Sequence, residues 1–144
     1  MRDERIAGRR DVVVTDGAPR ASGAYSQGVR VGDLIFTAGQ LGLVPGTRQL
    51  AGPDIASQTR QGLQNIQAIV EAGGSCLNHV VKVTIYLEDM RELPVLNEAY
   101  AQFFPSNAPA RSVVQSTGLH FEARVEIEAV AVVCGCRKAA KGAL

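Results

Sequence analysis

Apolar residues fall on every second position from Val125 across residues 125–133, the side-chain period of a β-strand. The strand's other face carries Glu126, Glu128, Val130 and Val132. A simply solvated face would not hold two valines beside two carboxylates. The second face is therefore expected to be buried too, against another subunit. The glutamates would then lie in a cleft with a cation near them.

Shorter strand-like runs come earlier. Residues 12–15 read as a first strand, broken at Ala18-Pro19. Residues 28–31 and 34–40 flank Gly32-Asp33, a two-residue hairpin signal. Residues 41–53, with three glycines and two prolines, read as loop. The period then changes. Ile55, Thr59, Leu63, Ile66 and Val70 recur at helical spacing. Asp54 can cap that helix and Gly73-Gly74 can stop it, so it is expected over 54–72, with Gln, Arg and Asn on its other face.

Residues 80–87 return to strand, with Val81, Val83, Ile85 and Leu87 on one face. Leu93, Leu96, Tyr100 and Phe103 mark a second helix over about 93–104, with Pro94 in its first turn. Residues 111–115 and 125–133 complete the set. Three strands, a helix, a strand, a helix and two strands predict an α+β domain, a mixed sheet with two helices packed on one face. Val113 is expected to share the uncovered face with Arg111.

Composition narrows the function classes. The 144 residues suffice for one domain with a core, 1–144, in which residues 1–10 read as a flexible extension and 135–144 as a loose tail. A formal net charge of +1 gives no field to attract nucleic acid or an anionic membrane. No apolar run could span a bilayer, and no signal-peptide core follows the charged N-terminus. Three cysteines, an odd number, speak against a disulfide framework and for a reducing, cytoplasmic setting. Cys134 and Cys136 form a lone C-x-C that, with His79 and His120, is too irregular for zinc, so no metal site is expected. Neither Cys76 nor Cys134 shows a local nucleophile–base arrangement.

The chemistry-bearing candidates are Arg111 and Glu126. A guanidinium binds a carboxylate at two points, and a carboxylate beside it can activate water. Five short motifs occur around them in one order: Gly23-Ala24-Tyr25-Ser26-Gln27, Thr37-Ala38-Gly39-Gln40, Asn97-Glu98-Ala99-Tyr100, Pro109-Ala110-Arg111-Ser112 and Val125-Glu126-Ile127-Glu128-Ala129. Together they closely resemble the RidA (YjgF) family of reactive-intermediate deaminases, over residues 18–133.

The resemblance implies a chorismate-mutase-like fold and a homotrimer with a central β-barrel and sites between subunits. It implies hydrolysis of 2-imino acids and enamines, such as 2-aminoacrylate or 2-iminobutanoate, to 2-oxo acids and ammonia without a cofactor. It assigns Arg111 to the substrate carboxylate and Glu126 to the attacking water. Tyr25, Gly39, Asn97 and Val113 would complete the substrate-binding set. Three positions depart from the family pattern: Val113 stands where many members have cysteine, Ala38 where many have serine, and Ala24 in the usual Gly-Pro-Tyr. Gly118-Leu119-His120 replaces a Leu-Pro segment. Two rivals follow: a deaminase for a larger enamine of the aminomuconate type, and a ligand-sensing or chaperone-like trimer without catalysis.

Overall fold

The computed structural model describes residues 9–135. One seven-stranded sheet carries two helices on one face. The strands are β1 (Arg10–Val13), β2 (Gly28–Val31), β3 (Leu34–Thr37), β4 (Gln40–Leu41), β5 (Val80–Leu87), β6 (Ala110–Gln115) and β7 (Val125–Val132). The helices are α1 (Ile55–Ala72) and α2 (Leu93–Phe103). Spatial order is β1-β2-β3-β7-β5-β6, with β4 also pairing β7. All pairings are antiparallel except β5 with β6, which α2 connects in parallel. The α+β reading and the helices' common side are as expected.

Arg10, counted in the expected extension over residues 1–10, instead pairs with Val31 in β1. Residues 1–8, and 136–144 of the expected tail, lie outside the described residues.

Local signals act where the sequence puts them. Gly32 takes a left-handed φ of 57° in the β2–β3 hairpin, which glycine adopts without cost. The Asp54 side chain accepts from Ser57 N at 2.8 Å and caps α1. Ile55, Thr59, Leu63, Ile66 and Val70 are all buried. The four apolar ones pack with Leu96 and Tyr100 of α2 against Val83, Ile85, Val125 and Ile127 of the sheet.

Three details depart from the pattern. First, residues 34–40 are not one strand. Phe36 pairs with Val130 and Gln40 with Ile127, so four steps on one strand face three on the other. The extra residue makes a β-bulge, and Thr37 Oγ1 accepts from Ala129 N at 3.0 Å within it. Second, an irregularity between Val80 and Lys82 turns Val81 outward, so only Val83, Ile85 and Leu87 keep the predicted face. Third, the polar side of α1 is not all solvated. Gln58 and Asn65 are buried: Gln58 donates to Gly52 O and accepts from Arg124 N, while Asn65 donates to Leu41 O and Leu43 O. A loop laid over a helix needs partners for its carbonyls, and these amides supply them.

Candidate active site

A cavity of about 1080 Å³ opens between the 16–25 loop, the 38–48 segment and the start of β7. Its lining includes Tyr25, Gly39, Arg48, His120, Phe121 and Glu126. One buried side chain holds the first wall. Gln27 Nε2 donates to the carbonyl oxygens of Thr15, Ala18 and Pro19 at 2.9, 3.2 and 2.8 Å, and Gln27 Oε1 accepts from Thr15 N at 2.8 Å. That clamp folds the loop back so that Tyr25, itself more than half exposed, faces the cavity.

The bulge shapes the second wall. It brings the Gly39 backbone against Glu126, and a Cβ added at Gly39 would stand 2.8 Å from Glu126 Cδ. Glycine is therefore required if the carboxylate is to stay where it is. The third wall is the turn before β7. Phe121 has a φ of 60°, strained for a bulky side chain, and it carries the Arg48 guanidinium 5.2 Å above its ring.

Glu126 is half-buried, and its carboxyl pKa lies above the ordinary value. Burial is the main cause and repulsion from Glu128 adds to it, while His120 pulls the other way. Glu128, the next residue on that face, accepts a hydrogen bond of 2.9 Å from the Tyr86 hydroxyl. That bond and the carboxylate charge raise the Tyr86 pKa.

Arg111 lies elsewhere. In the β5–β6 register it stands beside buried Val83, and Val113 stands beside buried Ile85. Both therefore point to the helix side at the edge of the sheet, not to the open face expected for them. Val113 packs against the core, and the Arg111 guanidinium sits 4.8 Å from the centre of the Tyr100 ring. Burial pushes the Tyr100 hydroxyl up to about 12, against the pull of Arg111, so the ring is a neutral platform for the cation. Asn97, exposed on α2, precedes Tyr100 by three residues and shares its side of the helix.

The predicted set thus falls into two groups within one chain. Tyr25, Gly39 and Glu126 meet in the cavity. Arg111 and Val113 lie on β6 at the sheet edge, Arg111 against Tyr100 of α2, and Asn97 is exposed on that helix. The expectation of Arg111 in one cleft with the glutamates fails inside a single chain, because β6 turns Arg111 toward α2 while Glu126 faces away from the helices.

Similarity to known proteins gives the family. The endoribonuclease L-PSP family model matches residues 15–133. The chain belongs to this family, the RidA/YjgF family. A RutC family protein of Pyrococcus horikoshii is 44% identical over 122 residues, 85% of this chain and 97% of that one. The human 2-iminobutanoate/2-iminopropanoate deaminase is 42% identical over 123 residues, 85% of this chain and 90% of its own. The crystal structure of Escherichia coli TdcF with bound serine superposes with a TM-score of 0.82 at 37% identity, covering 86% of this chain and 99% of that one.

Within a RidA/YjgF chain the departures acquire positions. Ala38 and His120 both line the cavity with Glu126. Sequence reasoning gave no role to Gln27, Arg48 or Phe121. Gln27 closes the first quoted motif, which was its available signal. Arg48 and Phe121 are 73 positions apart and carried none.

Proposed function

We propose that the chain is a hydrolytic deaminase of small 2-imino acids and their enamine tautomers, with each site shared between two subunits of a homotrimer. The observation that carries this reading is the separation of Glu126 and Arg111 onto opposite sides of one sheet. A carboxylate that activates water and a guanidinium that holds a substrate must face one another. Here a second chain has to present one of them.

An apolar area on the open face supports such an assembly. Val12, Leu34 and Phe36 are 51, 41 and 44% exposed, beside half-buried Val130 and Val132. Five apolar side chains on one sheet face are unusual for a monomer, and cyclic self-association is the common way to bury them. The number three comes from the family resemblance.

The steps follow from the groups. Arg111 of one subunit pairs with the substrate carboxylate and fixes the imine carbon over the cavity of the next. Glu126 there accepts a proton from a water as its oxygen attacks that carbon. The proton passes to the amine nitrogen of the resulting carbinolamine. Glu126, again a carboxylate, takes the carbinolamine hydroxyl proton as the C–N bond breaks, so that ammonia leaves and a 2-oxo acid remains. Its raised pKa makes Glu126 a better proton acceptor than a fully solvated carboxylate. No cofactor takes part in these steps. The reaction suits the cytoplasm, where amino-acid metabolism generates imines, and among the described residues no helix is long and apolar enough to cross a membrane.

The cavity volume leaves room for the larger-enamine reading, so substrates of both sizes belong in the assay. The decisive test uses 2-aminoacrylate generated in situ by a dehydratase, with pyruvate release as readout. Arg111→Ala and Glu126→Gln should each abolish the acceleration, and Arg111→Lys should rescue poorly because an ammonium lacks the fork. Co-refolding the Arg111→Ala and Glu126→Gln chains should restore activity at roughly a quarter of the sites, those where an intact arginine meets an intact glutamate across an interface. Two active single variants would remove the deaminase reading. Two inactive variants that never complement would remove the shared site.

A further inference from the structure

The end of β7 and the turn after α1 bring together three side chains far apart in sequence. Cys76 Sγ lies 3.2 Å from His79 Nδ1 and 3.8 Å from Cys134 Sγ. The three ligand atoms all fall within 4.8 Å of one another. The sequence reading, which grouped His79 with His120, missed this cluster: His120 lines the cavity, and Cys76 takes its place. We propose that Cys76, His79 and Cys134, with both cysteines reduced, form a binding site for a thiolate-preferring divalent cation, Zn²⁺ above all.

Two of the three spacings lie near a tetrahedron's edges, and the third is within reach of a small shift of the exposed imidazole. With Zn–S near 2.3 Å and Zn–N near 2.05 Å, tetrahedral angles put sulfurs about 3.8 Å apart and sulfur and nitrogen about 3.5 Å apart. The ligand types agree as well, since two thiolates and an imidazole favour zinc over the hard cations.

The backbone holds the ligands in place. Cys76 and His79 bracket a 3-10 turn (Leu77–His79), and side chains three apart eclipse one another in that geometry. His79 N donates to Cys76 O at 3.0 Å within it. Two further bonds tie the turn to the strand end: Cys134 N to Gly74 O at 3.0 Å, and Ser75 Oγ to Val132 O at 2.6 Å. Both sulfurs are half-buried and the imidazole is exposed, so a cation has an entry path.

Cys134 is disulfide-bonded in this structure. Thiolates are the ligands zinc needs, so the disulfide and the cation exclude each other and the site answers to redox state. Cys134 follows Glu126 by eight residues along an extended chain, roughly 25 Å. The site is thus separate from the cavity, and its expected effect is on stability. A bound cation would staple the strand end to the α1–β5 connection.

The test is titration of the full chain, reduced and under anaerobic conditions, with Co²⁺ as a spectroscopic probe and then Zn²⁺. One equivalent of Co²⁺ should give thiolate charge-transfer absorption and the intense visible bands of a tetrahedral site, both erased by Zn²⁺. Cys76→Ser and Cys134→Ser should each weaken Zn²⁺ binding by more than about 100-fold, the upper end of what losing an outer-shell contact costs. Zn²⁺ should raise the melting temperature of the reduced parent but not of His79→Gln, a change at an exposed position that tests the site even if a cysteine variant folds poorly. The oxidised chain should bind no cobalt with thiolate bands. Weak, octahedral Co²⁺ spectra, equal affinity in the serine variants, or equal binding by the oxidised chain would each overturn the proposal. Imine hydrolysis should be the same with and without Zn²⁺; a deaminase failure therefore leaves this site untouched.

Discussion

The two faces of β7 obey one period and answer to different demands. On the covered face, Val125, Ile127, Ala129 and Ala131 are sealed under α1 and α2, almost without exposure. On the other, Glu126, Glu128, Val130 and Val132 all keep partial exposure. The covered face needs only volume and shape, and the chain's own helices satisfy it. The open face is divided. Its first half carries carboxylates, with Tyr86 across the sheet from them. Its second half continues into Phe36 and Leu34, which pair with Val130 and Val132. Nothing among the described residues covers that apolar half. The lesson is that alternation alone does not distinguish a surface from an interface; what shares the face does.

The sharpest contrast is between adjacent residues. Glu126→Gln should slow turnover by about 10²–10⁴-fold, the usual range for losing a general base, and leave folding intact. Removing a desolvated charge that Glu128 repels should even raise stability slightly near neutral pH. Ile127→Ala, one residue on and facing the helices, should cost about 2–5 kcal/mol of stability and leave the rate per folded molecule unchanged. Urea unfolding and steady-state kinetics on both variants decide the matter. A catalytic collapse in Ile127→Ala at full folding would erase the distinction between the faces.

Within the open face, Val132→Asp should break the proposed assembly and remove activity together, leaving a folded chain by circular dichroism. Light scattering that finds an active, monodisperse monomer would sink both the interface and the shared site. A smaller effect is expected at Gly39→Ala. The new methyl group must push the Glu126 carboxyl aside, so turnover should fall by about ten- to a hundredfold with little change in stability. An unaltered rate would mean that the carboxyl can move without consequence.

The smallest effect is a pH dependence. In the proposed mechanism Glu126 works as the ionised base, and its pKa is raised by burial first and by Glu128 second. As pH falls, the base form is therefore lost earlier than an ordinary glutamate would lose it. The acid limb of kcat/KM should lie above the usual glutamate range. Glu128→Gln removes the second cause and should move that limb toward lower pH, with the plateau rate nearly retained. A limb that moves the other way would assign it to a different group.

How much of this was legible in the sequence follows from the range of each interaction. Helix α1 was readable because its cap, its stripe and its stop are local: Asp54, then Ile55 to Val70 at helical spacing, then Gly73-Gly74. The strand character of β5, β6 and β7 and the motifs around Arg111 and Glu126 were readable for the same reason. The side on which Arg111 points was not. It depends on a parallel register with β5 that no local pattern encodes. The bulge that presents Gly39 to Glu126 was hidden too, since Leu34 to Gln40 reads as one strand and the extra residue shows only against β7. Gln58 and Asn65 read as solvent-facing because helical spacing cannot foresee a loop lying over them. Cys76, His79 and Cys134 met for a like reason: chain separation hides what two backbone hydrogen bonds bring together. Short-range periodicity and turn chemistry determined the elements and the residue types that carry chemistry; pairing register and packing, which join distant segments, decided which of those residues face one another.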